Sequence, residues 1–277
     1  MTNSKIATST TPTSNGKCMI DKIGDSGGLF DLVVRPMFQQ GHEGELCSWL
    51  KEFSLIRTTL GCQQPECQGK ILAWNTARVI DRYTWVCPTC SKKQSIREGS
   101  FFMGVKGDFR TCLQLILAWC QDIPSDIAAN NFEIKEHVIK KVYERCSQVA
   151  EFYVNSHPED FKLGGPGCVV LVDEFPSGYM TDITPDVTTT RKHLKQYGVF
   201  SVEHLQKFDT PDTHKLLNNL ATIWQTGLGV CEEIQESTRG AAKQIITNHL
   251  WRQRYGSIPS VAFQNMLNHI VECYRFT

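Results

Sequence analysis

The chain of 277 residues has no apolar run approaching the roughly 20 residues that a membrane-crossing helix needs. It has no net charge, with 29 basic side chains against 29 acidic ones, so no global field draws it toward nucleic acid. It lacks an internal repeat, a glycine loop that would cradle phosphate and a nucleophile elbow. These absences set aside repeat architectures, P-loop nucleotide hydrolysis and α/β-hydrolase chemistry. The stretch from Met1 to Lys17 is rich in Ser, Thr and Asn and lacks the apolar core of a secretory signal. The expectation is a cytoplasmic or nuclear protein that is not secreted and has no membrane partner.

Cysteine, in contrast, is plentiful at 12 residues. Four of them form two close pairs: Cys62-Gln-Gln-Pro-Glu-Cys67 and, further on, Cys87-Pro-Thr-Cys90. A tetrahedral zinc site needs four soft ligands that converge on one point, and two tight cysteine turns supply them. Pro65 and Pro88 favour such turns. Structural zinc held by Cys62, Cys67, Cys87 and Cys90 is therefore expected, with a disulfide framework or chance spacing as the alternatives. The remaining cysteines, such as Cys112, Cys120, Cys146 and Cys273, are mostly solitary in apolar surroundings and read as buried free thiols.

Charge is unevenly spread. Between Cys62 and Arg97 lie six basic residues (Lys70, Arg78, Arg82, Lys92, Lys93, Arg97) and only two acidic ones, Glu66 and Asp81. Four thiolates around one zinc ion would offset part of that excess. From Arg239 to Tyr255 there are four basic residues and no acidic one.

The pattern along the chain divides it into a polar, disordered leader over 1–28, an N-terminal helical segment over 29–57, a zinc ribbon over 58–98, a helical region over 99–163 and a last domain over 164–277. Helices are expected from Glu43 to Phe53, Asp108 to Gln121, Asp126 to Asn130 with Ser125 as its cap, and Lys135 to Asn155. In the C-terminal part they are expected over His214 to Trp224, Glu232 to Ile246 and Val261 to Tyr274. Lys70 to Trp74 and Tyr83 to Val86 read as the ribbon's strands. Trp74 and Trp85 serve either as cover for the metal site or as platforms for base stacking. Two helices joined near Asn130-Asn131, the second one basic, have the helix-turn-helix pattern. Lys135, Lys140, Lys141 and Arg145 would lie on its exposed face, as DNA contacts or as an ordinary solvated surface. Lys92, Lys93 and Arg97 would add phosphate contacts from the ribbon. Cys168 to Val172 reads as a buried strand that ends in Asp173-Glu174.

The collinear set formed by the four cysteines, Ser95 to Phe102, Trp119, Ala128-Ala129, and Gly164-Gly165 leading to Val172-Asp173-Glu174 resembles the Merlin-type DDE transposases and their bacterial insertion-sequence relatives. The resemblance implies a ribonuclease-H-like catalytic domain, with Asp173 as first metal-binding carboxylate and Asn248, in Ile246-Thr-Asn248-His-Leu-Trp251-Arg, at the third position. Only 74 residues separate those two positions, a short interval for that family. Asp182, Asp186, Asp209 and Asp212 are the acids available between them. The fold class expected is therefore α+β: a four-cysteine zinc ribbon, a helix-turn-helix region, and a truncated or remodelled ribonuclease-H-like region with a mostly helical C-terminus. The function implied is that of a transposase-derived, zinc-dependent protein that binds double-stranded DNA without strand-transfer activity, with self-association an open question. The competing readings are an active transposase using Mg or Mn, and a zinc-stabilised protein-interaction factor.

Overall fold

Apolar residues at helical spacing dominate the chain, and helices dominate the computed structural model. It describes residues 41–67, 69–164, 170–172, 194–195, 199–201, 211–235, 237–256 and 258–276. The chain divides into two units, one of Met1–Gln114 with Tyr274–Thr277 and one of Leu115–Cys273. The division falls inside a helix expected from the sequence.

In the first unit, helix α1 (Glu43–Glu52) buries Leu46, Cys47, Trp49 and Leu50. A three-stranded antiparallel sheet follows, built from β1 (Ala73–Thr76), β2 (Tyr83–Val86) and β3 (Lys93–Gln94) in that spatial order. Trp74 lies directly across from Trp85, and Trp85 across from Gln94, so these three share one face. Trp85 is buried, its ring edge-on to Trp74, while Lys51 of α1 sets its ammonium 3.2 Å from the centre of the Trp74 ring. Trp85 therefore packs as cover within the unit, while Trp74 is half-buried under Lys51. Strand β1 begins three residues later than Lys70, because Lys70 is taken up in closing a turn: its carbonyl accepts from the Cys62 N–H at 2.9 Å. Phe101, Phe102, Ile96 and Val105 complete this core. Tyr274 packs edge-on against Phe101.

Helix α2 (Phe109–Cys120) starts after Asp108, whose carboxylate accepts from the Thr111 N–H at 2.7 Å. The second unit contains α3 (Ser125–Phe132), α4 (Glu136–Ser156), α5 (Pro211–Ile234), α6 (Arg239–Tyr255) and α7 (Pro259–Cys273). Ser125 is the first helical residue of α3 and not its cap; Pro124 holds that place without a side-chain bond. Residues Val138, Ile139, Val142, Cys146, Val149 and Ala150 form the apolar stripe of α4, which packs on α3, α6 and α7. The helix expected over Glu232 to Ile246 is interrupted. Helix α5 stops at Ile234, and the Thr238 side chain caps α6 by accepting from the Ala241 N–H. Two small parallel strand pairs also occur: β4 (Leu163–Gly164) with β6 (Leu194–Lys195), and β5 (Val170–Val172) with β7 (Val199–Ser201). The expected strand ending at Val172 is thus present, while Asp173, Asp182, Asp186 and Asp209 lie outside the described residues. Among the described residues the largest sheet is the three-stranded one, and the five strands of a ribonuclease-H-like core are not seen. No described helix is long and apolar enough to cross a membrane.

Candidate metal centre and the cations around it

Two turns of similar design carry the four cysteines. In the first, Cys67 ends a short 3-10 segment, Pro65–Cys67, and the Cys62 N–H returns to the Lys70 carbonyl. In the second, the Cys87 N–H donates to the Lys92 carbonyl at 2.9 Å. Each turn reverses through a left-handed residue, Gly69 at φ 72° and Ser91 at φ 59°. The result is convergence: the four sulfurs lie within 4.8 Å of one another. Cys62 and Cys90 are 3.7 Å apart, as are Cys67 and Cys87.

Those distances have a specific meaning. A regular tetrahedron with metal–sulfur bonds of about 2.3 Å has edges of about 3.8 Å. A disulfide would bring two sulfurs to about 2.05 Å, and all ten cysteines among the described residues are free. The donor set is all sulfur, three of its four members are buried, and it fits a closed tetrahedral site that could hold a zinc ion. Without a cation the four thiols are driven apart in their titration. The Cys87 thiol is pulled down to about 6, first by the backbone N–H of Cys90 and then, against burial, by that of Thr89. The Cys67 thiol is pushed up to about 12 by the Cys90 thiol and by burial. Four sulfurs this close cannot all ionise without a cation among them, and a divalent ion at the centre removes that repulsion.

The basic residues singled out from the sequence have divergent placements. Lys92 and Lys93 are exposed beside the second cysteine turn. Arg97 is only 4% exposed. Its Nε donates to Asp81 at 2.7 Å and one Nη donates to the other Asp81 oxygen. The remaining donors reach the carbonyls of Phe102 (3.4 Å), Val105 (2.8 Å) and Gly107 (2.6 Å). All five N–H groups of the guanidinium are used, and its plane lies over the Phe109 ring. Arg97 therefore has nothing to offer a phosphate; it fastens the β1–β2 turn to the segment before α2. Sequence reasoning could not separate this arginine from an exposed one, since its partner Asp81 is 16 residues away.

Helices α3 and α4 are joined by a tight turn in which Glu133 takes a left-handed conformation. Lys135, the N-cap of α4, and Lys140 and Lys141 on the helix are exposed, and Arg145 is half-buried. They share the surface with acids: Lys140 pairs with Glu136 at 2.8 Å, and Glu144 is exposed on the same helix. The field of this helix is mixed in sign. Asn248 lies half-buried on α6, donating to Ser147 Oγ at 3.0 Å and accepting from Gln244 at 3.3 Å. It borders a cavity of about 250 Å³ together with Glu144, Glu233, His249 and Arg252. Arg252 there pairs with Asp122 at 2.9 Å and donates to the Trp119 carbonyl. Among the described residues only the four cysteines form a group of three or more metal-ligand side chains.

No family model, curated protein or solved structure matches the chain.

Proposed function

We propose that this chain is a zinc-stabilised protein that binds double-stranded DNA, descended from a DDE transposase and without strand-transfer activity. The observation that carries the reading is the four-sulfur cluster, whose spacing suits zinc and whose two turns hold a small sheet flanked by exposed cations. Zinc here is structural: four cysteine ligands fill its coordination and leave no position for substrate. Cys62, Cys67, Cys87 and Cys90 hold the ion and keep the sheet in shape. Lys92 and Lys93 then sit on a surface of fixed geometry, where neutralising phosphate charge releases condensed counterions and drives binding. The transposase descent is supported by the collinear order of cysteine pairs, helices and the strand ending at Val172. The proposed lack of strand transfer is supported by the neutral Asn248, whose amide is engaged with Ser147 and Gln244.

The test has two parts. Metal analysis of purified protein should give one zinc per chain, and less than half an equivalent refutes the metal reading. A labelled DNA duplex of about two helical turns should then bind with an affinity that falls steeply with salt. Zinc without any DNA binding would leave a zinc-stabilised interaction module as the better reading.

A further inference from the structure

The two faces of the three-stranded sheet have different surroundings. One face carries Trp74, Tyr83, Trp85 and Gln94. It is occupied: Tyr83 stacks on Trp74, Trp85 is buried, and Lys51 covers the Trp74 ring. By the alternation of a strand, Asn75, Thr84, Val86 and Lys93 point the other way. They border a groove of about 820 Å³ that continues to Arg78 and Arg82 in the turn between β1 and β2. Arg78, Arg82 and Lys93 are exposed, no acidic residue lines the groove, and none of the three joins an ion pair among the described residues.

We infer that this open face of the sheet, with Arg78, Arg82 and Lys93 as its cations, is the surface that takes the phosphate backbone of duplex DNA. The inference rests on the DNA-binding reading above and names its site. Three features of the groove select the ligand. The cations are spread, not convergent. Lys93 lies across from Val86 at one end of β2, and Arg82 precedes the other end, so the length of the strand, about 10 Å at about 3.3 Å per residue, separates them. A single phosphate needs donors aimed at one point, whereas charges strung along a strand suit a polymer of phosphates. The surface is concave, which suits a rod and not a flat lipid layer. Tyr83 is the one aromatic residue that lines the groove, and its ring is already stacked on Trp74, whereas single-strand binders stack successive bases on several free rings. The basic stripe of α4, diluted by Glu136 and Glu144, is the weaker candidate on charge alone.

The experiment uses the full chain loaded with zinc, and fluorescence anisotropy on a labelled duplex from about 50 to about 200 mM salt. Arg78→Gln, Arg82→Gln and Lys93→Gln are combined in one variant, which keeps side-chain length and removes charge. The slope of log affinity against log salt should fall by about 2 to 3 units relative to wild type. Lys140→Gln with Lys141→Gln should change it by less than about one unit. Asn75→Asp, which adds an acid to the groove at nearly constant side-chain size, should also weaken binding. Zinc content and helical circular dichroism, equal in all variants, confirm that each is folded. If wild type binds no DNA, the functional reading falls and takes this inference with it. If wild type binds and both groove variants keep its slope and affinity, the inference alone is overturned. Tighter binding to single-stranded DNA or to duplex RNA than to duplex DNA overturns the choice of ligand.

Discussion

Arg97→Gln separates a structural arginine from a DNA-contacting one. The substitution leaves Asp81 buried without its cation and strips hydrogen bonds from the carbonyls of Phe102, Val105 and Gly107. Breaking a buried ion pair on one side costs about 3–5 kcal/mol, because a charge remains with no partner. Whole domains are stable by only about 5–15 kcal/mol. The unit that holds the ribbon should therefore lose a large share of its stability. With a urea m-value of about 1–3 kcal/mol/M, the midpoint moves down by about 1–5 M. Release of zinc to a coloured chelator along a urea series reports this unit. A double variant, Asp81→Leu with Arg97→Leu, removes both charges together. It should cost less than the sum of the single substitutions, the excess measuring their coupling. The reasoning is refuted if Arg97→Gln leaves the midpoint within about 0.5 M of wild type. A drop of about one unit in the salt slope alongside would make Arg97 a phosphate contact after all.

Cys87→Ser should yield protein with less than half an equivalent of zinc and an unfolded ribbon, since metal binding supplies much of the folding energy of such a unit; full zinc occupancy in that variant would count against the site. His269 is buried, accepts from the Trp251 indole N–H at 2.9 Å and stacks on Tyr153, and burial, with some repulsion from His157, lowers its pKa to about 3. A depressed histidine binds its proton more readily in the unfolded chain, so its contribution is complete above about pH 6.5 and is lost as pH falls toward 3. Between pH 7.5 and pH 5 this amounts to about 2 kcal/mol, and His269→Gln should remove that part of the acid sensitivity in urea titrations followed by helical circular dichroism. An unchanged pH slope in His269→Gln would refute the assignment. Purified protein should show no magnesium- or manganese-dependent nicking of DNA carrying terminal repeats; nicking that Asp173→Ala abolishes would establish an intact catalytic centre.

What was legible in the sequence was local. The metal centre needs only two short turns, and both are written in consecutive residues around Pro65 and Pro88. Helices α1, α2, α4 and α7 follow from apolar periodicity within a single element and lie within two residues of their expected ends. The failures involve competition or distance. The stretch Glu232 to Ile246 has helical spacing throughout, yet Thr238 offers a cap that the periodicity does not register. Lys70 to Leu72 looks strand-like, but the closing bond of the first cysteine turn and an isolated bridge from Gly61 to Ile71 use it first. Arg97 and Asn248 are settled by partners 16 and 101 residues away, which no window of sequence contains. Arg78 and Arg82 stand out in the sequence only as part of the ribbon's excess of positive charge. The signal was their position at either side of a hairpin turn, where a strand pattern leaves side chains in solvent.

The packing of α4 has a consequence for the order of events during synthesis. Its apolar stripe is covered mainly by α6 and α7. Ser147 meets Gln244 and Asn248, and Trp119 meets Arg252, across gaps of 97, 101 and 133 residues. At a translation rate of about 5–20 residues per second, α4 waits on the order of 5–20 s for those partners. During that interval Val138, Ile139, Val142, Val149 and Ala150 have no cover from α6 or α7. A nascent chain of this kind presents chaperones with a long-lived amphipathic helix, and slower elongation between Ser156 and Arg239 lengthens the window in which it can associate with other chains.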